Sequence, residues 1–123
     1  MLVTTTFSFE GFVIKEYKGV VRGIVVRAPT ISQGIVGGLK NILGGEIGAY
    51  TEMCEQTREK AYRLMLKHAK SVGGNAVVGL RYDASEVVSQ GSATEVLCYG
   101  TAVIIKKVSS DSNVNEELKP LVK

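Results

Sequence analysis

The sequence predicts one small α+β domain, and three observations carry that reading. Residues 12–27 are crowded with β-branched side chains (Val13, Ile14, Val20, Val21, Ile24, Val25, Val26), which favour strand. Residues 49–72 carry a stripe at helical spacing through Met53, Thr57, Ala61, Leu64, Met65, Ala69 and Val72. Residues 94–107 are apolar on both alternating faces: Val96, Cys98, Gly100, Ala102 and Ile104 on one, Leu97, Tyr99, Thr101, Val103 and Ile105 on the other. A chain of 123 residues, 45% hydrophobic and 22% charged, suits a single domain that builds its core without metal or disulfide staples.

Taken in chain order, residues 1–10 are polar and Thr-rich, and read as a short strand or an arm. In the run from Phe12 to Arg27, Lys18-Gly19 allows either a tight hairpin or one long strand bent by a bulge. Lys-Gly is not a preferred hairpin pair, which favours the bent strand. Pro29-Thr30 ends that run. Ile31, Ile35, Leu39, Ile42 and Leu43 then recur at helical steps. Gly34, Gly37 and Gly38 weaken such a helix by up to ~1 kcal/mol each relative to Ala, so it should form only when packed. Gly44-Gly45 ends it.

The helix over 49–72 is the clearest element. Glu52, Glu55 and Glu59 sit early in it, and Lys60, Arg63, Lys67 and Lys70 late, which suits the helix dipole. Gly73-Gly74 is its stop signal. A strand follows over 76–83, then a polar turn, then the strand over 94–107. One helix can cover only one face of so small a sheet. The two apolar faces of the last strand therefore predict that the other face meets another subunit. Residues 109–123 read as a polar tail after a domain over 1–108.

Several classes are disfavoured. Lys and Arg number 15 against 12 Asp and Glu, a formal charge of +3, and they are spread along the chain. The row Lys60, Arg63, Lys67, Lys70 has no interleaved aromatic residue to stack bases, so no nucleic-acid partner is expected. No signal peptide and no membrane span is legible, and two cysteines make no disulfide framework. A cytoplasmic protein with reduced thiols is the expectation.

Certain stretches resemble the YbjQ family. They are Thr4-Thr5-Thr6 with Glu10-Gly11, Gly44-Gly45 with Gly48-Ala49-Tyr50, Ala61 and Ala69 with Gly73 to Gly79, and Gly100 to Val103. Together they span residues 3–107 in order. The resemblance implies a β-α-β-β subunit, similar to dodecin in topology, with the long helix on an antiparallel sheet. It also implies a ring, a homopentamer, and it brings a heavy-metal-binding label without an established function. The chain departs from the family pattern at Lys40, Asn41, Glu46, Arg81 and Ala84, while Asp83 matches. A polar site built from those positions has changed charge here.

The candidate sites are few. Soft metals need convergent thiolate and imidazole ligands. Cys54 and His68 lie fourteen residues apart on one predicted helix, ~21 Å at ~1.5 Å per residue, so they cannot share an ion within one chain. Cys98 is a metal candidate only where a ring brings several copies together. Gly45, Gly48 and Tyr50, in a glycine loop before a helix, are candidate ligand-binding residues, because free N–H groups there attract anions. The Walker ending Gly-Lys-Ser/Thr is absent. The competing reading of this loop is a turn needing positive φ. Asp83, at a strand end, completes the candidate set. No nucleophile–base set is visible. The sequence favours a homo-oligomeric binding protein for a metal ion or small ligand. A ligand-free interaction module and an enzyme are the alternatives.

Overall fold

A computed structural model describes residues 1–27, 48–86 and 93–109. The predicted helix over 31–43, Gly45 and residues 110–123 of the predicted tail lie outside the described residues. The described elements are β1 (Leu2–Val3), β2 (Phe12–Arg27), α1 (Gly48–Ser71), β3 (Ala76–Glu86) and β4 (Thr94–Lys107). They form a four-stranded sheet in the order β1-β3-β4-β2, with α1 packed on one face.

The sheet is mixed, which corrects the expected antiparallel arrangement. β3 and β2 each run antiparallel to β4, but β1 pairs parallel with β3. Residues 1–10 thus supply both a short strand and an arm. The arm is tied down by Thr4 N–H to the Val77 carbonyl at 3.0 Å and by Gly79 N–H to the Thr6 carbonyl at 2.8 Å.

β2 is one long strand, bent rather than folded into a hairpin. Its register against β4 slips between Ile14 and Glu16 and again between Tyr17 and Gly19, where Gly19 sits at φ 106°. An L side chain rarely adopts that backbone, so glycine permits the bulge.

α1 lays Thr57, Ala61, Met65 and Ala69 on the sheet, a strict i, i+4 row, and all four are buried. Leu64, also in the predicted stripe, is 39% exposed. The helix comes so close to β2 that a Cβ on Gly23 would overlap the Ala61 carbonyl oxygen and the Met65 nitrogen. The C-terminus is a Schellman motif. Gly74 N–H donates to the Ala69 carbonyl at 2.9 Å and Gly73 N–H to the Lys70 carbonyl at 3.0 Å, with Gly73 at φ 87°. Asn75 then starts the return strand. Its side-chain amide donates to the Ile105 carbonyl at 3.0 Å, and its side-chain oxygen accepts the Ile105 N–H at 2.8 Å. That side chain does for β4 what a paired strand residue would do.

Two cores result, one on each face of the sheet. Under α1 lie Val21, Val77, Val96, Cys98 and Ala102 with Ala61, Met65 and Ala69. On the opposite face Ala76, Val78, Val103 and Ile105 are packed by Phe9, Phe12 and Ile14. The chain therefore covers part of the second face of β4 itself. The part it leaves open carries Val20 at 69%, Ile24 at 41% and Val26 at 56% exposure on β2, beside half-buried Leu97 and Tyr99 of β4.

Candidate functional site

The chemistry-bearing residues fall into two groups, one beneath the helix and one on the open sheet face. Cys98 is fully buried in the middle of β4, against the α1 side. Its cross-strand partner is Tyr82, and the Arg58 guanidinium from α1 sits 5.4 Å from the centre of the Tyr82 ring. Burial pushes the Cys98 thiol above its ordinary value, and hydrogen bonding with Tyr82 pulls part of that back. The Tyr82 hydroxyl is pushed up to about 12, first by burial and then by the Cys98 thiol beside it. Both groups stay protonated at neutral pH.

The other soft donors lie elsewhere. Cys54 is exposed on α1. His68, near the other end of the same helix, accepts the Arg22 backbone N–H on its Nδ1 at 3.1 Å. An Nδ1 that accepts must belong to the neutral ring protonated at Nε2. His68 is thus half-buried and engaged with β2, not a free surface residue. Among the described residues, no group of three or more His, Cys, Asp or Glu side chains is placed to hold a metal ion.

The open face is organised by strand register. Arg81, Tyr99 and Arg22 form one row across β3, β4 and β2. Asp83, Leu97 and Ile24 form the next. Both arginines and Asp83 are exposed. The arm steadies Arg81: its Nη1 donates to the Thr5 carbonyl at 3.0 Å, and its guanidinium lies 5.9 Å from the Phe7 ring centre. This arginine row was not legible in the sequence, because it exists only once the bulges fix the pairing of three strands. The departure from the family pattern at Arg81 was its one signal.

Of the other predicted ligand residues, Gly48 opens α1 and is exposed. Tyr50 lies in the first turn, its side chain outside the described residues, as is all of Gly45. Asp83 stands in the second half of β3 on the open face. No helix among the described residues is long and apolar enough to cross a membrane.

The architecture, one long helix on a four-stranded mixed sheet, defines a small α+β domain. A model of the YbjQ family, described as "Putative heavy-metal-binding", matches residues 1–106, and the chain belongs to that family. A UPF0145 protein of Legionella pneumophila is 62% identical over 105 residues, covering 85% of this chain and 98% of the relative. A UPF0145 protein of Francisella tularensis is 50% identical over 106 residues, covering 86% of this chain and all of the relative. The fold is shared with a crystal structure of a protein of unknown function of the DUF74 family from Pediococcus pentosaceus. The TM-score is 0.57 and the identity 24%, over 86% of this chain and 98% of that one.

Proposed function

We propose that this protein is a homo-oligomeric binding protein whose open sheet face forms the contact between subunits, with a small anionic ligand held at that contact. The observation that carries the reading is the exposure of Val20, Ile24 and Val26 on a strand at the edge of the sheet. Fully burying one such side chain is worth about 1.5–3 kcal/mol. The edge adds backbone groups. Arg22 N–H points away from β4, since it is spent on His68. By the alternation of an antiparallel ladder, the N–H groups of Val20, Ile24 and Val26 point the same way. A long edge strand with apolar side chains is a template for pairing with another chain.

The ligand chemistry follows from the same face. Arg22 and Arg81 flank Tyr99 within one row, and guanidinium groups recognise carboxylate and phosphate oxygens in a fork geometry. Asp83 in the adjacent row gives one hydrogen-bond acceptor for a hydroxyl or amine on the same ligand. The family's ring, a pentamer, is the assembly expected.

Native mass spectrometry tests the assembly directly. Wild type should appear as a closed oligomer, and Ile24→Lys should reduce it to monomers that keep the wild-type circular dichroism spectrum. A wild-type monomer at micromolar concentration would sink the reading.

A further inference from the structure

We infer that this chain does not hold a heavy-metal ion through Cys98 or His68, whatever the number of subunits that assemble. The whole chain contains one histidine and two cysteines, and all three are described. Each can be followed to its surroundings.

Cys98 is the thiol nearest the centre of the fold, and it is closed off. Its exposure is 0%, with Val21, Val77, Val96 and Ala102 of the sheet and Ala61 and Met65 of α1 in the same core. A second copy of the chain can approach the outer surface of α1 or the open sheet face. It cannot bring a second Cys98 to the first without lifting the helix. The ligand form of cysteine is the thiolate, and burial holds this sulfur as the thiol. The ring-shared Cys98 site expected from the sequence fails on this geometry.

His68 is committed by its tautomer. With Nδ1 accepting from Arg22, the proton sits on Nε2. Binding a metal through Nε2 would move that proton to Nδ1, where it would face the Arg22 N–H, donor against donor. Binding through Nδ1 would take the place of the Arg22 N–H. Either route breaks the link between α1 and β2. Met65, a further soft donor, is fully buried.

Cys54 is left as the one exposed thiol. It and His68 are fourteen residues apart within α1 (Gly48–Ser71), ~21 Å along the axis. Structural sites for soft metals use about four ligands at ~2.0–2.3 Å. Within one chain a single exposed thiol, with no second thiol or imidazole beside it, does not supply them, so Cys54 is the one soft donor of the three that an assembly leaves open to a metal.

The test uses the assembled protein under reducing conditions, with cadmium and zinc as probes. Binding is followed by calorimetry and by the cadmium–thiolate charge-transfer band, in wild type, C54S, C98S and H68Q. In parallel, a thiol reagent is added to the native and the unfolded protein. The expected result is metal binding unchanged in C98S and H68Q, with any cadmium–thiolate band lost only in C54S. One thiol per chain should react in the native state, lost in C54S, and the second only after unfolding. Stoichiometric binding abolished by C98S or by H68Q would overturn the inference. So would protection of Cys98 by added metal in a protein whose Cys98 is otherwise reactive when native.

Discussion

Tyr82 and Cys98 face each other across β3 and β4, and their shared environment makes a pH prediction at the level of single groups. Tyr82 is held at about 12 in the fold against an ordinary 10.0. Cys98 is likewise raised from an ordinary 9.0. Both are neutral when protonated, so burial favours the protonated form. Between the unfolded and folded values the folded state binds more protons than the unfolded state. Stability is therefore fully present below about pH 9 and falls as pH rises, with the Tyr82 share lost from about 10 to 12. Denaturant midpoints measured at pH 8 and pH 11 should show the drop. Tyr82→Phe, which has no proton to lose, should flatten the part above pH 10. A Tyr82→Phe profile identical to wild type would refute this account of the pair. Burial of Cys98 could be read from its place in the apolar run Val96 to Ile105. Its pairing with Tyr82 could not, because the register passes through a slip between Val78 and Arg81.

At the scale of elements, the closest contact is between α1 and β2, and it rests on one missing side chain. A Cβ at Gly23 would collide with backbone atoms of Ala61 and Met65 and would come within 2.8 Å of the Leu64 Cβ. Backbone cannot swing aside as a long side chain does, so the helix would have to lift from the sheet. Gly23→Ala should cost about 3 kcal/mol, the upper part of the range for overpacking. Gly48→Ala, with nothing within 4 Å of the added Cβ, should be close to neutral. Paired urea unfolding curves would separate the two, and equal costs would contradict the close-contact argument. The elements themselves were largely legible. The β-branched run, the apolar helical stripe and the two-faced last strand each appear over nearly the residues expected. The long bent β2 was legible for a local reason, since Lys18-Gly19 makes a poor hairpin but a good bulge. The parallel pairing of β1 was not, because a two-residue strand carries no periodicity and owes its place to Thr4 bonding Val77. The critical role of Gly23 was also hidden, as a glycine in a strand does not disclose what approaches it.

For the whole molecule, the second face of the sheet links fold stability to self-association. Sequence patterning alone assigned that face to another subunit. Phe9 of the arm and Phe12 at the start of β2 take over one end of it, packing on the cluster of Ala76, Val78, Val103 and Ile105. What remains open is the end carrying Val20, Ile24 and Val26. If subunits meet there, a partner binds the folded chain and not the unfolded one, and mass action then raises apparent stability with protein concentration. The thermal midpoint of wild type should climb steadily across a hundredfold range of concentration. Ile24→Lys places a charge in the contact without touching either core, so its midpoint should be independent of concentration. It should also match wild type extrapolated to high dilution, because Ile24 belongs to neither buried cluster. A variant that is less stable than dilute wild type would mean that Ile24 supports the subunit's own fold. A wild-type midpoint that ignores concentration would mean that the exposed apolar edge is not covered by a second copy at all.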